Sequence, residues 1–434
     1  MKFKLFFLFT FSVIFSNAQF DTDLMDAYFD TLEQNDKFNG SVAVSIDGEQ
    51  VYKRALGFAD FENKIKNDNE TIYRIGSISK TFTAALMMMA VDEGKITTDE
   101  KLSKYFPTVK NADEITVDML LKHRSGIANI TADPAYLKWN TQPKSEKELL
   151  SIISAYESEF EPGTNYDYSN SNYILLSFIL EKLYKKSFSD LLNEKIVKPL
   201  NLSRTRFGGK INTKNNEAHS YHYTGSWIKS AETDMSVPMG AGGIVSTPTD
   251  LIAFGEALFS GKLVSEKRLE LMKTTQDGYG YGIFQMPFYG KTGFGHTGGI
   301  DDFSSVWSYF SDGKVSIAIF SNGSDFNNNN IAIAMLSVAY EREIELPKFR
   351  QSEAAVVPGY TGIFSNGMLG MEIEITEKDG QYLAQASGQS AFPLEKKSDT
   401  EFRFDMAGIV IEFNPGLKSF TLKQGGGEFV FVKQ

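Results

Sequence analysis

Residues 296–322 read HTGGIDDFSSVWSYFSDGKVSIAIFSN, and their reading decides the fold. A short strand ends at Asp301-Asp302, a full strand runs to Asp312-Gly313, and a third strand follows. An Asp-Gly pair between two alternating runs is a strong hairpin signal. A second one lies far away in SVAVSIDGEQVYKRALGFA (41–59), turning at Asp47-Gly48. Before it, Leu24, Tyr28 and Leu32 share one face of a helical stretch. Between the two hairpins the patterns are mostly helical, including SKTFTAALMMMAVDEGK, NYILLSFILEKLYKK and PTDLIAFGEALFSGK. Strands from both chain ends around a helical middle predict an α+β fold, an antiparallel sheet flanked by helices with a helical subdomain.

The strand that opens the meander raises a choice of register. Residues 291–299 hold two nearly identical triplets, Lys291-Thr292-Gly293 and His296-Thr297-Gly298. Their leading residues are an odd number apart, so in one regular strand they point to opposite faces. His296-Thr297-Gly298 leads directly into the meander. Lys291 is set off by Phe294-Gly295 and reads as the end of a Gly/aromatic loop. We therefore take His296, not Lys291, as the functional position.

From about residue 347 the texture changes to short alternating runs separated by turn residues, which predicts a small C-terminal antiparallel β domain. The expected organisation is a signal peptide at 1–18, a main α+β domain at 19–346, a linker at 347–357 and an all-β domain at 358–434. Lys2 and Lys4, an apolar run from Leu5 to Phe15, and Ser16-Asn17-Ala18 have the form of a secretory signal, with Gln19 as the first mature residue. The apolar run is too short to span a bilayer. No cysteine follows it, so lipoprotein anchoring is excluded, and the expected location is periplasmic or secreted.

Composition removes several functional classes. The chain of 434 residues has no cysteine, so disulfides, thiolate nucleophiles and cysteine metal sites are absent. Of the four histidines, His123, His219, His222 and His296, none has a metalloprotease spacing, and His219 with His222 reads as a loop. We expect no metal and no cofactor. The net charge is −11, and −13 once Lys2 and Lys4 leave with the signal. An acidic chain without a basic run repels phosphate backbones, so no nucleic-acid partner is expected.

In RIGSISKTFTAALMMMA (74–90), Gly76 breaks a strand and a strongly apolar helix begins near Ser77. Ser77 and Lys80 are three apart and share a helix face. The helix N-terminus favours negative charge on the Ser77 oxygen. Dipole and burial together disfavour charge on Lys80, which suits a base that takes the serine proton. Ser-x-x-Lys also occurs at Ser226/Lys229 and Ser311/Lys314, but only Ser77 opens a buried helix. Next, EPGTNYDYSNSNYILLSFIL (161–180) contains the chain's only Tyr-x-Asn, Tyr168-Ser169-Asn170, just before another apolar helix. Tyr168 can relay protons if a cation such as Lys80 lowers its pKa. Asn170 can donate to a substrate carbonyl and accept from the lysine.

Ser77-x-x-Lys80, Tyr168-x-Asn170 and His296-Thr297-Gly298, in that order, resemble the motifs of the penicillin-recognising serine hydrolases. That superfamily includes class C β-lactamases, D-alanyl-D-alanine carboxypeptidases, D-aminopeptidases and lactamase-like esterases. LLKHRSGI (120–127) and GAGGIVSTPTDL (240–251) resemble two further segments of the family. The resemblance covers roughly residues 25–340 and implies the serine β-lactamase/penicillin-binding-protein fold. It implies Ser77 as nucleophile of an acyl-enzyme and Lys80 and Tyr168 as sharing the proton traffic, with the acylation base left open. Asn170, His296 and Thr297 would contact substrate, and the backbone N–H groups of Ser77 and Gly299 would form the oxyanion hole.

His296 stands where many lactamases carry lysine, which leans toward peptide substrates. Arg124 replaces a usual threonine, and His123 beside it is expected to be structural. Tyr221 and Trp227 either line the cleft or pack a loop. The favoured activity is an exported D-amino-acid peptidase or carboxypeptidase acting on small or peptide substrates, peptidoglycan fragments among them. An esterase or β-lactamase is the alternative, and a slow-turnover penicillin-binding sensor a further one. The C-terminal domain would shape the substrate entrance, bind wall fragments or add stability.

Overall fold

The computed structural model describes residues 20–349 and 360–434, apart from 225, 368, 379–380, 388–390, 405–406 and 425–426. The signal segment 1–18, Gln19 and most of the 347–357 linker lie outside the described residues. In chain order, the elements that frame the site begin with helix α1 (Thr22–Gln34) and strands β1 (Phe38–Ile46) and β2 (Glu49–Leu56). Helices α2 (Ser79–Asp92), α3 (Asn170–Tyr184) and α4 (Pro248–Phe259) follow. Strands β3 (Phe284–Phe288), β4 (Lys291–Ile300), β5 (Phe303–Phe310) and β6 (Val315–Ser324) lead to helix α5 (Asn328–Ala339).

The strands form one antiparallel sheet in the order β3-β4-β5-β6-β1-β2, so the two ends of this region meet at its centre. Val42 pairs with Ile319 and Ala43 with Ala318 across the β1–β6 seam. Alternation sends each pair to a different core. Val42, Val44, Ile317 and Ile319 pack with Phe29 of α1 and Met335 of α5. Ala43, Ala318 and Phe320 pack on the other side with Phe254 of α4 and with α2. Both faces are therefore covered, and β1 is buried along nearly its whole length. The α+β reading holds.

Two expectations shift in detail. The buried stripe of α1 is Met25, Tyr28, Phe29 and Leu32, with Leu24 only half-buried at its margin. Strand β4 runs unbroken from Lys291 to Ile300 instead of starting at His296. The glycines that suggested a loop are close-packing positions. A Cβ on Gly293 would lie 2.7 Å from the Phe310 ring, and one on Gly295 would lie 2.0 Å from the Trp307 carbonyl oxygen.

Helix α2 is apolar all round and almost entirely buried, as the central helix of a domain must be. Phe82 stacks on Phe254 of α4 at 3.7 Å between ring centres. Helix α3 is buried from Ser171 through Leu180. The first turns of α2 and α3 thus have fixed places beside the sheet. Among the described residues, no helix is long and apolar enough to cross a membrane.

The C-terminal strands are β7 (Gly362–Asn366), β8 (Met371–Lys378), β9 (Gln381–Ala386), β10 (Phe392–Lys396), β11 (Glu401–Phe404), β12 (Ile409–Asn414), β13 (Ser419–Gln424) and β14 (Gly427–Lys433). They close into an up-and-down barrel in sequence order. Side chains fill its interior, among them Phe364, Phe402, Phe413 and Phe420, as expected for eight strands. At the margin of that core, Phe392 and Phe404 pack against it and stack at 4.7 Å. With Thr297, Gly299 and Asn328 they wall a cleft of about 920 Å³ between barrel and sheet.

Candidate active site

Ser77 lies in a single 3-10 turn, Gly76–Ile78, that feeds α2. Gly76 makes the turn with φ +49°, a conformation that favours glycine. Its missing side chain also leaves room for β4: a Cβ there would lie 2.8 Å from the Gly299 nitrogen. One residue earlier in β4, a Cβ on Gly298 would lie 2.0 Å from the Ile75 carbonyl oxygen. Strand β4 therefore abuts the serine turn at Gly298-Gly299. Ser77 and Gly299 line one cavity of about 490 Å³, together with Asn170, Thr131 and Asp301.

Lys80 is fully buried one helical turn on. Its Nζ lies 2.9 Å from Ser77 Oγ, 2.7 Å from Asn170 Oδ1 and 2.8 Å from the Ala241 carbonyl oxygen. The Asn170 amide is oriented by its Nδ2, which donates to Thr131 Oγ1 at 2.8 Å. Two of the three neighbours of Lys80 are therefore pure acceptors. A neutral amine has two N–H groups for them and one lone pair for the Ser77 proton. Burial holds the lysine well below its usual range, so it gives up its proton more readily than a free lysine.

Tyr168 approaches from the loop before α3, within hydrogen-bonding reach of Ser77. The Lys80 nitrogen sits over its ring, 4.9 Å from the centre. The expectation that Lys80 would lower the Tyr168 pKa is not met. Burial raises the phenol instead, and the same burial lowers Lys80. Lysine is the group poised to take a proton, and tyrosine remains a neutral phenol that can pass one on.

His123 lies fully buried behind Tyr168, with ring centres 4.3 Å apart. Its Nδ1 accepts from the Ser169 backbone N–H at 3.2 Å, and its own carbonyl accepts from Asp167 at 3.0 Å. The imidazole thus clamps the loop that carries Tyr168. That matches the structural role expected of it. Burial, with Lys80 and His296 nearby, holds its pKa well below the usual histidine range.

His296 is a correction. Expected at the substrate, its ring is buried away from both cavities, among Tyr168, Tyr279 and Phe284. Its Nε2 meets Tyr279 Oη at 3.2 Å and its Nδ1 meets the Thr297 carbonyl. Burial, with Lys80 second, lowers its pKa to about 3, so the ring is neutral. Lys291 points elsewhere again, to an ion pair with Asp312 at the hairpin end. Neither triplet presents its leading side chain to the serine. What β4 presents is Gly299 to the serine cavity and Thr297 to the barrel-walled cleft, with Gly299 shared by both.

His219 and His222 flank or enter a two-stranded hairpin, Tyr221–Tyr223 with Trp227–Lys229, and not a plain loop. Tyr221 is buried, donating to Glu62, and Trp227 stacks on Phe61 at 5.8 Å. Trp227 is therefore a packing residue, while Tyr221 packs and borders the barrel-walled cleft. Several site residues escape a linear reading. Tyr279 holds His296, Thr131 holds Asn170, and Arg74 pairs with Asp301 at 2.8 Å. Only Tyr279 had a local signal, the Gly/Tyr run DGYGYGIF (277–284).

A buried lysine on a serine at a helix start, beside a tyrosine and an asparagine, is an arrangement able to activate the hydroxyl for acyl transfer. Known proteins agree with that chemistry. The chain is 24% identical over 447 residues to penicillin-binding protein 4* of Bacillus subtilis, covering 93% of this chain and 97% of that protein. It is 27% identical over 307 residues to the teichoic acid D-alanine hydrolase of Staphylococcus aureus, covering 69% of this chain and 74% of that one. Among solved structures, the D-amino acid amidase of Ochrobactrum anthropi SV3 superposes with a TM-score of 0.66 at 25% identity, over 74% of this chain and 99% of that one. The Beta-lactamase family model matches residues 25–340, and the chain therefore belongs to the beta-lactamase family of penicillin-recognising serine hydrolases.

Proposed function

We propose that the protein hydrolyses amide or ester bonds of D-amino acids through an acyl-Ser77 intermediate. The observation that carries this reading is the contact of Ser77 Oγ with a buried Lys80 at 2.9 Å. The amine takes the Ser77 proton as Oγ attacks the substrate carbonyl, and the developing oxyanion faces the N–H groups of Ser77 and Gly299. Lys80, now an ammonium, returns a proton to the leaving nitrogen or oxygen through Tyr168. Water then releases the D-amino acid and frees Ser77. Asn170 keeps Lys80 aimed and offers its second N–H to the substrate.

The substrate class is supported by the names of the relatives, a D-alanine hydrolase and a D-amino acid amidase. Peptidoglycan fragments are one natural source of such bonds. Export is our reading of the basic and apolar residues 2–15 and the small residues that follow. Mature protein mixed with D-alanine p-nitroanilide tests the activity: p-nitroaniline is released, and intact mass shows a transient D-alanyl adduct on Ser77. The Ser77→Ala variant is expected to show neither. Full activity in that variant would sink the assignment.

A further inference from the structure

The cavity that Ser77 lines carries no Lys, Arg or His among its described lining residues; its charged members are Asp301 and Asp302. The nearest histidine candidate, His296, is turned into the aromatic cluster. Arg74, just behind the wall, is already committed. Its guanidinium pairs with Asp301 at 2.8 Å and with Glu232 at 3.6 Å, one cation against two carboxylates. Asp301 is saturated as well, since its second oxygen accepts from the Thr233 N–H and hydroxyl at 3.0 and 2.7 Å.

Asp302 differs. Its side chain is 41% exposed, and it lines both the serine cavity and the barrel-walled cleft. One oxygen, Oδ2, accepts from Ser230 Oγ and faces His222 Nδ1 at 3.4 Å, while Oδ1 takes neither contact. It stands three positions after Gly299, so the two Cα atoms are at most about 10 Å apart even when fully extended. A charge on the acyl half of a substrate held at Gly299 therefore shares one cavity with this carboxylate, where its field is only partly screened.

We propose that Asp302 is a specificity residue that draws the free α-ammonium of a D-aminoacyl substrate into the cleft, and that the same acidic wall turns away substrates ending in a carboxylate. This rests on the reading of Ser77 as nucleophile and narrows it. An aminoacyl amide or ester gains an attraction where a penicillin or a C-terminal D-peptide finds no cation to hold its carboxylate. The gain follows from Coulomb's law at these separations, roughly fivefold in affinity per unit charge.

The test is competition at Ser77 in the full mature chain. A fluorophosphonate reagent labels the serine at pH 7, where the α-amine is mostly charged. D-alaninamide, N-acetyl-D-alaninamide and N-succinyl-D-alaninamide then compete, carrying charges of plus one, zero and minus one. Protection is expected to fall in that order, roughly fivefold at each step, and to level in 1 M salt. In Asp302→Asn, each value taken against that variant's own labelling rate, the steps are expected to shrink below twofold. Asp302→Glu, which restores the charge, is expected to restore the order. Equal protection by all three, no protection by any, or the anionic compound protecting best overturns the inference. A serine that is not labelled, or labelling that survives Ser77→Ala, overturns the nucleophile assignment instead.

Discussion

His296 Nε2 faces Tyr279 Oη at 3.2 Å, and this contact draws the imidazole into an aromatic cluster that excludes water. The first prediction concerns acid stability. Folded, His296 takes a proton only near pH 3; unfolded, it does so near the reference value of about 6.5. Between those values the unfolded chain binds more protons, so stability falls as pH drops from about 6.5 to 3. The loss from this one ring is of order 5 kcal/mol. His123, also held low by burial, adds in the same direction. Urea denaturation between pH 7 and 4 is expected to give a shallower slope for His296→Phe than for the parent. Equal slopes would mean that the ring takes a proton in the folded state.

The same histidine shows what a sequence can and cannot place. Ser77 and Lys80 were legible because helical spacing alone brings residues three apart onto one face, and only one such pair opens a buried helix. Tyr168 and Asn170 were legible for a similar local reason. Strand period assigns His296 and Lys291 to opposite faces, but it does not say which face meets a cavity. That depends on Gly76 and Gly298 letting β4 close on the serine turn through backbone alone. Arg74 and Asp301, 227 residues apart, had no local pattern to join them.

The second prediction separates the two candidate bases. Burial depresses Lys80 and raises Tyr168, so as pH rises lysine is the first of the two to offer a lone pair. The rate is expected to rise with pH through the depressed Lys80 value and to stay flat above it. Tyr168→Phe keeps the ring against His123 and loses the relay, lowering kcat/KM on the order of 10²-fold while the acid limb stays in place. Lys80→Ala is expected to cost up to about 10⁴-fold and to abolish that limb. A pH profile that rises toward 10 in the parent would reverse the roles.

The third prediction concerns the decoy triplet. Lys291 is partly exposed and paired with Asp312 at the far end of β4. Exposed pairs of this kind contribute about 0–1 kcal/mol. Lys291→Ala is expected to leave kcat/KM within about twofold of the parent and to shift stability by less than about 1 kcal/mol. A large loss of activity would return Lys291 to the site.

The last prediction sets two neighbouring glycines against each other. At Gly298 a methyl group would lie 2.0 Å from the Ile75 carbonyl oxygen and 2.5 Å from Ser305 Oγ, which itself donates to Ile75 at 2.9 Å. At Gly299 the nearest atom is the Phe303 carbonyl oxygen, 3.9 Å away. Gly298→Ala must push β4 off the turn that holds Ser77, at a packing cost of about 1–3 kcal/mol. A misplacement near 1 Å between nucleophile and oxyanion donor lowers rate about 10²-fold. Gly299→Ala keeps its N–H in place and is expected to melt with the parent. Measured side by side, Gly298→Ala should lose both thermal stability and kcat, while Gly299→Ala, at a residue that lines both the serine cavity and the barrel-walled cleft, should change KM more than kcat. If both variants behave alike, β4 and the serine turn are not in the backbone contact that builds this oxyanion site.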